Sequence, residues 1–211
     1  MASVVQSRGE EVANSVSHGV GFALAVAAIP LLIVSAVQRG DAGAVVGGAI
    51  FGAAMAGLYL TSTLYHAVPH GRAKRLLRKL DHSAIFLLIA GTYTPFTLGA
   101  LGGVWGWSLF GVVWGIAAIG IGLKLVAGPK HPRLSSAMYV AMGWLVLIAI
   151  RPLWLNVPGM GILLLVLGGL AYTLGVGFYL APRLRYGHFI WHLFVLTGST
   201  FHFFAVLKYA A

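Results

Sequence analysis

The chain has 211 residues, of which 59% are hydrophobic and only 9% are charged, and its formal net charge at pH 7 is +10. Soluble domains carry roughly 25% charged residues, so this composition excludes an ordinary soluble globular protein. The mean hydropathy is +0.91, and the apolar residues come in long runs, which is typical of a polytopic helical membrane protein. The chain has no cysteine, which excludes disulfide bonds, thiolate metal sites and a thiol nucleophile.

Seven apolar segments follow one another along the chain, at about 17–38, 43–66, 81–101, 104–124, 134–151, 159–181 and 186–208. The fifth is the weakest, because Arg151-Pro152 is expected to end it. Residues 1–16 form a short polar N-terminal segment without the basic start of a signal peptide, so the first apolar segment is interpreted as a retained span. We predict an all-α integral protein of the cell membrane, in which residues 1–211 form a single seven-helix transmembrane domain.

The basic residues predict the orientation of these helices. With seven spans, the N-terminus and the loops after the second, fourth and sixth spans share one side of the membrane. Eleven of the 14 lysines and arginines fall on that side, namely Arg8, Arg72, Lys74, Arg75, Arg78, Lys79, Lys124, Lys130, Arg133, Arg183 and Arg185. The other side holds Arg39, Arg151 and Lys208. The positive-inside rule therefore predicts a cytoplasmic N-terminus and an external C-terminus. Contact with anionic lipid explains the net charge, and no nucleic acid partner is expected.

Four ionisable residues fall at the predicted cytoplasmic face. His66 ends the second segment, Asp81 begins the third, and His188 and His192 begin the seventh. The last two are four residues apart and share one helix face. With His66 they form a three-histidine set, which is typical of a catalytic zinc site whose fourth position is open to water. The pattern predicts a Zn²⁺ site held by His66, His188 and His192.

Two further residues are candidate catalytic groups. Asp81 could orient the water, accept its proton or hold a ligand imidazole. Ser62 lies one helical turn before His66, so its hydroxyl could hydrogen-bond the water or a substrate carbonyl. Zinc lowers the pKa of a bound water to about 7, which would make hydroxide available for hydrolysis.

Other polar residues are not expected to be metal ligands or catalytic groups. Glu11, Asn14 and His18 begin the first span and are expected at most to support the site from outside the ligand set. His202 is ten positions after His192, about 80° further round the helix, and is expected to be packed or hydrogen-bonded rather than a ligand. His82 is expected to point about 100° away from Asp81.

Three stretches of the chain resemble the bacterial hemolysin III family. They are "EEVANSVSHGVG", "STLYHAVPHGRAKRLLRKLDHSAIFLLIAGTYTPF" and "GHFIWHLFVLTGSTFHFFAV". Their ExxNxxxH, SxxxH, Asp and HxxxH motifs occur in the family's order, and the resemblance covers essentially the whole chain. The family belongs with the progestin and adiponectin receptors and, more distantly, with the alkaline ceramidases.

The resemblance implies a seven-helix membrane fold with one zinc at its cytoplasmic side. By position, the zinc ligands would be His66, His188 and His192, Asp81 would contact the zinc-bound water, and Ser62 would lie beside it. The ceramidases cleave an amide bond in lipid, and bacterial members of the family are linked with membrane lipid homeostasis. The long N-terminal domain of the receptors is lacking, which argues against recognition of a large protein hormone.

Three functions stay open at this point. The first is a ceramidase-like, zinc-dependent hydrolase of lipid amide or ester bonds, with Asp81 as the general base. The second is a non-enzymatic membrane sensor or regulator in which zinc is structural. The third is the haemolytic pore-former of the family name, although no helix carries the line of polar residues that a monomeric pore requires. The expected partners are membrane lipids and a lipid substrate or ligand, and no oligomeric state is predicted.

Overall fold

The computed structural model describes residues 6–129 and 131–210, and all regular secondary structure in this part of the chain is helical. Among the described residues, seven helices are long and apolar enough to cross a membrane. They are α1 (Arg8–Gln38), α2 (Ala42–Ala67), α3 (Arg72–Leu101), α4 (Gly103–Ala127), α5 (Pro132–Asn156), α6 (Gly159–Tyr179) and α7 (Gly187–Tyr209). The predicted all-α architecture with seven spans is confirmed.

Helix α1 begins at Arg8 rather than near residue 17, so most of the polar segment before the first apolar run is helical. A capping box explains this start. The Glu10 backbone N–H donates to Ser7 Oγ over 3.3 Å, and the Ser7 N–H donates to Glu10 Oε2 over 2.8 Å. Hydropathy marks the apolar part of a helix and therefore misses a polar first turn.

Helix α3 likewise begins earlier than predicted, at Arg72 instead of residue 81. The basic run 72–80 is rich in Arg, Lys, Leu and Ala, which all favour helix, so it continues the helix outward from the apolar part. Asp81 therefore lies more than two turns inside α3, and its predicted place at the start of the helix was wrong. The last turn of α3, Phe96–Leu101, is a π-helix that directly follows Pro95.

Helix α5 does not end at Arg151-Pro152 as predicted but continues to Asn156. Its backbone changes to a 3₁₀-helix over Trp144–Ala149, which ends three positions before Pro152, and returns to α-helix over Ile150–Asn156. The tighter winding changes the hydrogen-bonding pattern where Pro152 supplies no N–H, so the proline is accommodated within the span.

Hydrogen bonds between helix termini identify the two ends of the bundle. At one end the Tyr186 N–H donates to Glu10 Oε1 over 2.8 Å, and Lys79 Nζ donates to the Leu125 carbonyl over 2.6 Å. We call this the site end, because the candidate residues lie near it. At the opposite end the Ala100 N–H donates to the Ala210 carbonyl over 3.1 Å. Helix α1 packs against both α2 and α7, so the first and last helices are neighbours.

The surface residues of the two ends differ in character. Exposed arginines surround the site end, namely Arg72, Arg75, Arg78, Arg183 and Arg185. At the opposite end Trp105, Trp107 and Trp154 are exposed, as in the aromatic belt of a membrane interface. This distribution agrees with the basic asymmetry of the sequence, and the cytoplasmic location of the site end stays a prediction.

Candidate metal centre

Three histidines from two helices converge near the site end. His66 lies in the last turn of α2, and His188 and His192 lie in the first two turns of α7. One ring nitrogen from each lies within 4.8 Å of the other two. The ring centroid of His66 is 5.1 Å from those of both His188 and His192, which are 4.7 Å from each other. These three residues could form a metal site, as the sequence predicted.

The hydrogen bonds of His66 and His192 show which nitrogen each ring offers. His66 Nδ1 lies 2.7 Å from Glu11 Oε2, and His192 Nδ1 lies 3.2 Å from the Asn14 carbonyl oxygen. Carboxylate and carbonyl oxygens accept, so both Nδ1 atoms donate and the lone pair of each neutral ring is on Nε2. The Nε2 atom of His66 is buried without a hydrogen-bond partner among the described residues. A metal ion would satisfy it, so the donor set fits one.

Glu11 connects this site to a buried lysine. Its second carboxylate oxygen, Oε1, accepts a hydrogen bond from Lys74 Nζ over 2.8 Å, and Lys74 also donates to the Val68 carbonyl over 3.2 Å. Lys74 is only 8% exposed, so its charge is balanced inside the protein by Glu11. Sequence reasoning assigned Lys74 to a basic loop and did not pair it with Glu11. A carboxylate behind a ligand histidine fixes its orientation and raises its basicity.

His18 lies outside the triplet and contacts it by ring stacking. Its ring is parallel to that of His192, with centroids 3.6 Å apart and planes 4° apart. The ring centroid of Tyr59 lies 5.0 Å from that of His18, and the two ring planes are at 66° to each other. Both nitrogens of His18 are buried and have no partner among the described residues. His18 therefore limits the rotation of the His192 ring, which is the supporting role expected for the first span.

A cavity of about 120 Å³ opens beside the histidines. Its wall includes Ser62, Asp81, His188 and His192, together with apolar side chains from α2, α3, α5, α6 and α7. The structure thus brings both predicted catalytic residues to the same cavity as two of the three predicted ligands. Their catalytic roles stay predictions.

The surroundings of Asp81 differ from the expectation in one respect. His82 was expected to point away, but its Nδ1 lies 3.5 Å from Asp81 Oδ2 and donates to the Arg78 carbonyl over 2.9 Å. Its Nε2 lies 3.3 Å from the hydroxyl of Tyr179, and both side chains line the cavity. Nothing in the sequence around Tyr179 indicated this contact, because it joins positions 97 residues apart.

A second cavity, of about 90 Å³, lies further from the site end. It shares part of its wall with the first, through Thr92, Tyr93, Gly143, Trp144, Gly169 and His202. The rest of its lining is apolar apart from Thr97 and includes Phe96, Leu109 and Ile162. The two cavities adjoin at these shared residues and are mostly apolar; we call them together the apolar space, which runs from the histidines toward the opposite end of the bundle.

Comparisons with known proteins agree with this architecture. A family model described as "Haemolysin-III related" matches residues 6–203. The chain is 45% identical over 209 residues to "Hemolysin-3" of Bacillus cereus, covering 99% of this chain and 95% of that protein. It is 46% identical over 200 residues to "Hemolysin-3 homolog" of Bacillus subtilis (strain 168), covering 95% and 94%. It is 28% identical over 170 residues to the human "Monocyte to macrophage differentiation factor", covering 76% and 68%. The family predicted from the motifs is confirmed, and the chain belongs to the hemolysin III family of multi-pass proteins of the cell membrane.

Proposed function

We propose that the protein is a zinc-dependent hydrolase of lipid amide or ester bonds that acts in membrane lipid homeostasis. One observation carries this proposal. Ser62 and Asp81 line the same cavity as His188 and His192, and that cavity continues into an apolar space. A hydroxyl, a carboxylate and candidate metal ligands around one space are the groups that carbonyl hydrolysis requires.

Zinc is the metal that suits the donor set. His66, His188 and His192 would hold it, since imidazole nitrogens are common zinc ligands and three of them leave a position open. When bound, zinc supplies a Lewis acid that polarises a carbonyl and makes a coordinated water acidic. Asp81 would accept the proton that the attacking water releases, and the Ser62 hydroxyl would donate a hydrogen bond to the carbonyl oxygen of the substrate.

The substrate class follows from the cavity wall. Leu58, Ile85, Leu88, Ile89 and Val195 line the first cavity, and they suit a hydrocarbon chain better than a soluble polar substrate. The scissile amide or ester would lie beside the histidines near the site end. The chain of the lipid would extend along the apolar space toward the second cavity.

The experiment compares purified variants in proteoliposomes that contain amide-linked and ester-linked lipids, with released fatty acid as the measurement. We expect Asp81→Asn to keep its zinc and its fold but to lose hydrolysis by about 10²–10⁴-fold, because an amide cannot accept the proton. Asp41→Asn is the matched control, since Asp41 caps α2 at the opposite end through a 3.0 Å bond from the Ala44 N–H. His66→Ala should lose zinc and activity together. Absence of lipid cleavage by the wild-type protein would contradict the proposal.

A second candidate is a sensor or regulator in which zinc is structural. The observation that favours it is that the candidate ligands lie on two different helices. A metal held by His66 of α2 and by two histidines of α7 would link these helices. In that case Asp81→Asn should leave the cellular phenotype unchanged while His66→Ala abolishes it. The names of the Bacillus relatives contain the word hemolysin, and the third candidate, a haemolytic pore-former, is tested by dye leakage from liposomes. The mostly apolar lining of both cavities favours a hydrocarbon chain over a hydrated ion path.

A further inference from the structure

A groove of about 230 Å³ lies between α2, α3 and α4, outside the cavities that adjoin the histidines. We call it the lateral groove, and its walls include Ala54, Gly57, Leu80, Leu87, Ile121 and Leu125. The lining is apolar apart from Thr61 and Ser83. The side chains of Leu80, Leu87 and Leu125 are exposed, so the groove is open to the bilayer that surrounds the protein.

Small residues on α2 create the space of the lateral groove. Ala53, Ala54 and Gly57 are the α2 residues at its centre, and Ala53 is exposed. A Cβ atom added to Gly57 would have no atom within 4 Å, so the helix surface there is not packed against a neighbour. An apolar recess of this kind suits a hydrocarbon chain.

Three basic side chains of α3 lie beyond the end of the lateral groove that is nearer the site end. Arg72 and Arg75 are exposed, and Lys79 directly precedes Leu80 of the groove wall. Lys79 Nζ donates to the carbonyl oxygen of Leu125, another residue of the wall, so its ammonium group lies at the mouth of the groove. An ammonium has three donors, and Lys79 uses one of them among the described residues.

The acidic side chains of the protein are all engaged away from this mouth. The chain has only four of them, namely Glu10, Glu11, Asp41 and Asp81. The first two are hydrogen-bonded at the start of α1, the third caps α2 at the opposite end, and the fourth lines the first cavity. Among the described residues no carboxylate forms a salt bridge with Arg72, Arg75 or Lys79. An anion from outside the chain would therefore be attracted to them.

The spacing between the groove and these cations matches the dimensions of a lipid. Arg75 is five positions before Leu80 on one helix, which corresponds to about 7.5 Å along the helix axis. The headgroup layer on each side of the hydrocarbon core is about 5–8 Å thick. With Leu80 at the edge of the hydrocarbon, Lys79 and Arg75 lie in the headgroup layer, four residues apart on one helix face.

We propose that the lateral groove binds one anionic phospholipid of the surrounding bilayer. One acyl chain lies in the groove, and the phosphate lies between Lys79 and Arg75. This site is separate from the candidate metal centre and does not depend on the proposed reaction. A lipid with a choline headgroup carries a cation that cancels its charge, so it gains less from these basic residues than an anionic lipid does.

The test is a lipid titration of the purified protein in detergent, with native mass spectrometry as the measurement. The probes are phosphatidylglycerol and phosphatidylcholine with identical ether-linked chains, which a hydrolase of amides and esters does not cleave. We expect one phosphatidylglycerol per chain to bind about tenfold more tightly than phosphatidylcholine, since each basic residue at an anionic headgroup contributes about fivefold.

Substitutions at the two ends of the bound lipid test its placement. Arg75→Gln should weaken phosphatidylglycerol binding about fivefold, whereas Arg183→Gln, an exposed arginine of the site end on the loop before α7, is the matched control and should not. Gly57→Leu should fill the groove and weaken binding by about tenfold or more, because the acyl chain loses its apolar contacts. Gly111→Leu on α4 is its control, since a Cβ added there also meets no atom within 4 Å.

Three results overturn the inference. The first is equal binding of the two lipids by the wild type, and the second is an equal loss from Arg75→Gln and Arg183→Gln. The third is a wild-type dimer that Gly57→Leu dissociates, which would mean that a second copy of the chain fills the groove. The lipid comparison and Arg75→Gln decide the question even if Gly57→Leu does not fold. The hydrolase proposal stands or falls separately, on lipid cleavage.

Discussion

At the scale of single residues, the histidine triplet depends on groups that do not belong to it. The carboxylate of Glu11 lies between His66 and the buried Lys74, at 2.7 Å and 2.8 Å. Its negative charge is balanced by the lysine and favours a donating Nδ1 on the histidine. The lone pair of the neutral His66 ring is therefore on Nε2, the nitrogen that would bind the metal.

This contact leads to a prediction for zinc affinity. We expect about one zinc per chain in the purified wild-type protein. Glu11→Gln should weaken zinc binding by about 10–100-fold, because the amide lacks the negative charge that makes the His66 imidazole a stronger metal ligand. Competition with a chelator of known affinity measures the change, and elemental analysis gives the stoichiometry. The neighbouring Glu10→Gln is the control, because Glu10 contacts Ser7 and Tyr186 instead. Equal zinc affinity in wild type and Glu11→Gln would contradict the supporting role of Glu11, and His192→Ala with full zinc occupancy would show that the site lies elsewhere.

Helical spacing could predict part of the site from sequence. The four-residue interval of His188 and His192 puts them on one helix face. His66 was added to the predicted ligands because it lies at the same predicted depth in the membrane. The pairing of Glu11 with His66 was not predictable in this way, because the two residues are 55 positions apart on different helices. The stacking of His18 on His192 was missed for the same reason. Spacing orders residues along one helix, whereas these contacts depend on how two helices pack.

At the scale of elements, hydropathy located all seven helices but not all of their ends. It measures the part of a helix that lies in hydrocarbon, and both α1 and α3 extend beyond that part with polar or basic turns. The capping box of Ser7 and Glu10 was present in the sequence and could have given the start of α1. Arg151-Pro152 likewise made the predicted α5 too short, at its C-terminal end, because the proline is accommodated within the helix after the 3₁₀ stretch.

The close approach of α2 and α3 gives a prediction on stability. A Cβ atom on Gly91 of α3 would lie 2.8 Å from the Cβ of Ala54 and 3.5 Å from backbone atoms of α2. We expect Gly91→Ala to lower the free energy of unfolding by about 1–3 kcal/mol, the cost of overpacking between two rigid helices. Thermal unfolding in detergent measures it. Gly57→Ala on α2 is the matched control, because no atom lies within 4 Å of its added Cβ. A similar unfolding temperature for both variants would contradict this account of the interface.

At the scale of the whole molecule, the basic asymmetry predicts that the site end faces the cytoplasm. The chain has no cysteine, so single introduced cysteines report their side of the membrane without background. Arg75→Cys should react with a membrane-impermeant thiol reagent only after cell lysis, and Gln38→Cys, near the opposite end, should react in intact cells. Arg75 and Gln38 are both exposed, whereas Lys74 is buried and unsuitable for labelling. The reverse labelling pattern would place the site outside the cell.

Because the first helix packs against the last, α1 can complete its contacts only after the end of the chain has been synthesised. The Asn14 carbonyl receives its hydrogen bond from His192, 178 residues later in the chain. Domains emerge from the ribosome N-terminal end first, so α1 enters the membrane with Glu11, Asn14 and His18 before α7 exists. A chain interrupted before α7 would keep Glu11 paired with His66 and Lys74, but the Asn14 carbonyl would lack its hydrogen bond from His192 and the His18 ring would lack the ring it stacks on. The histidine triplet and its contacts with α1 are therefore complete only in a chain that includes α7.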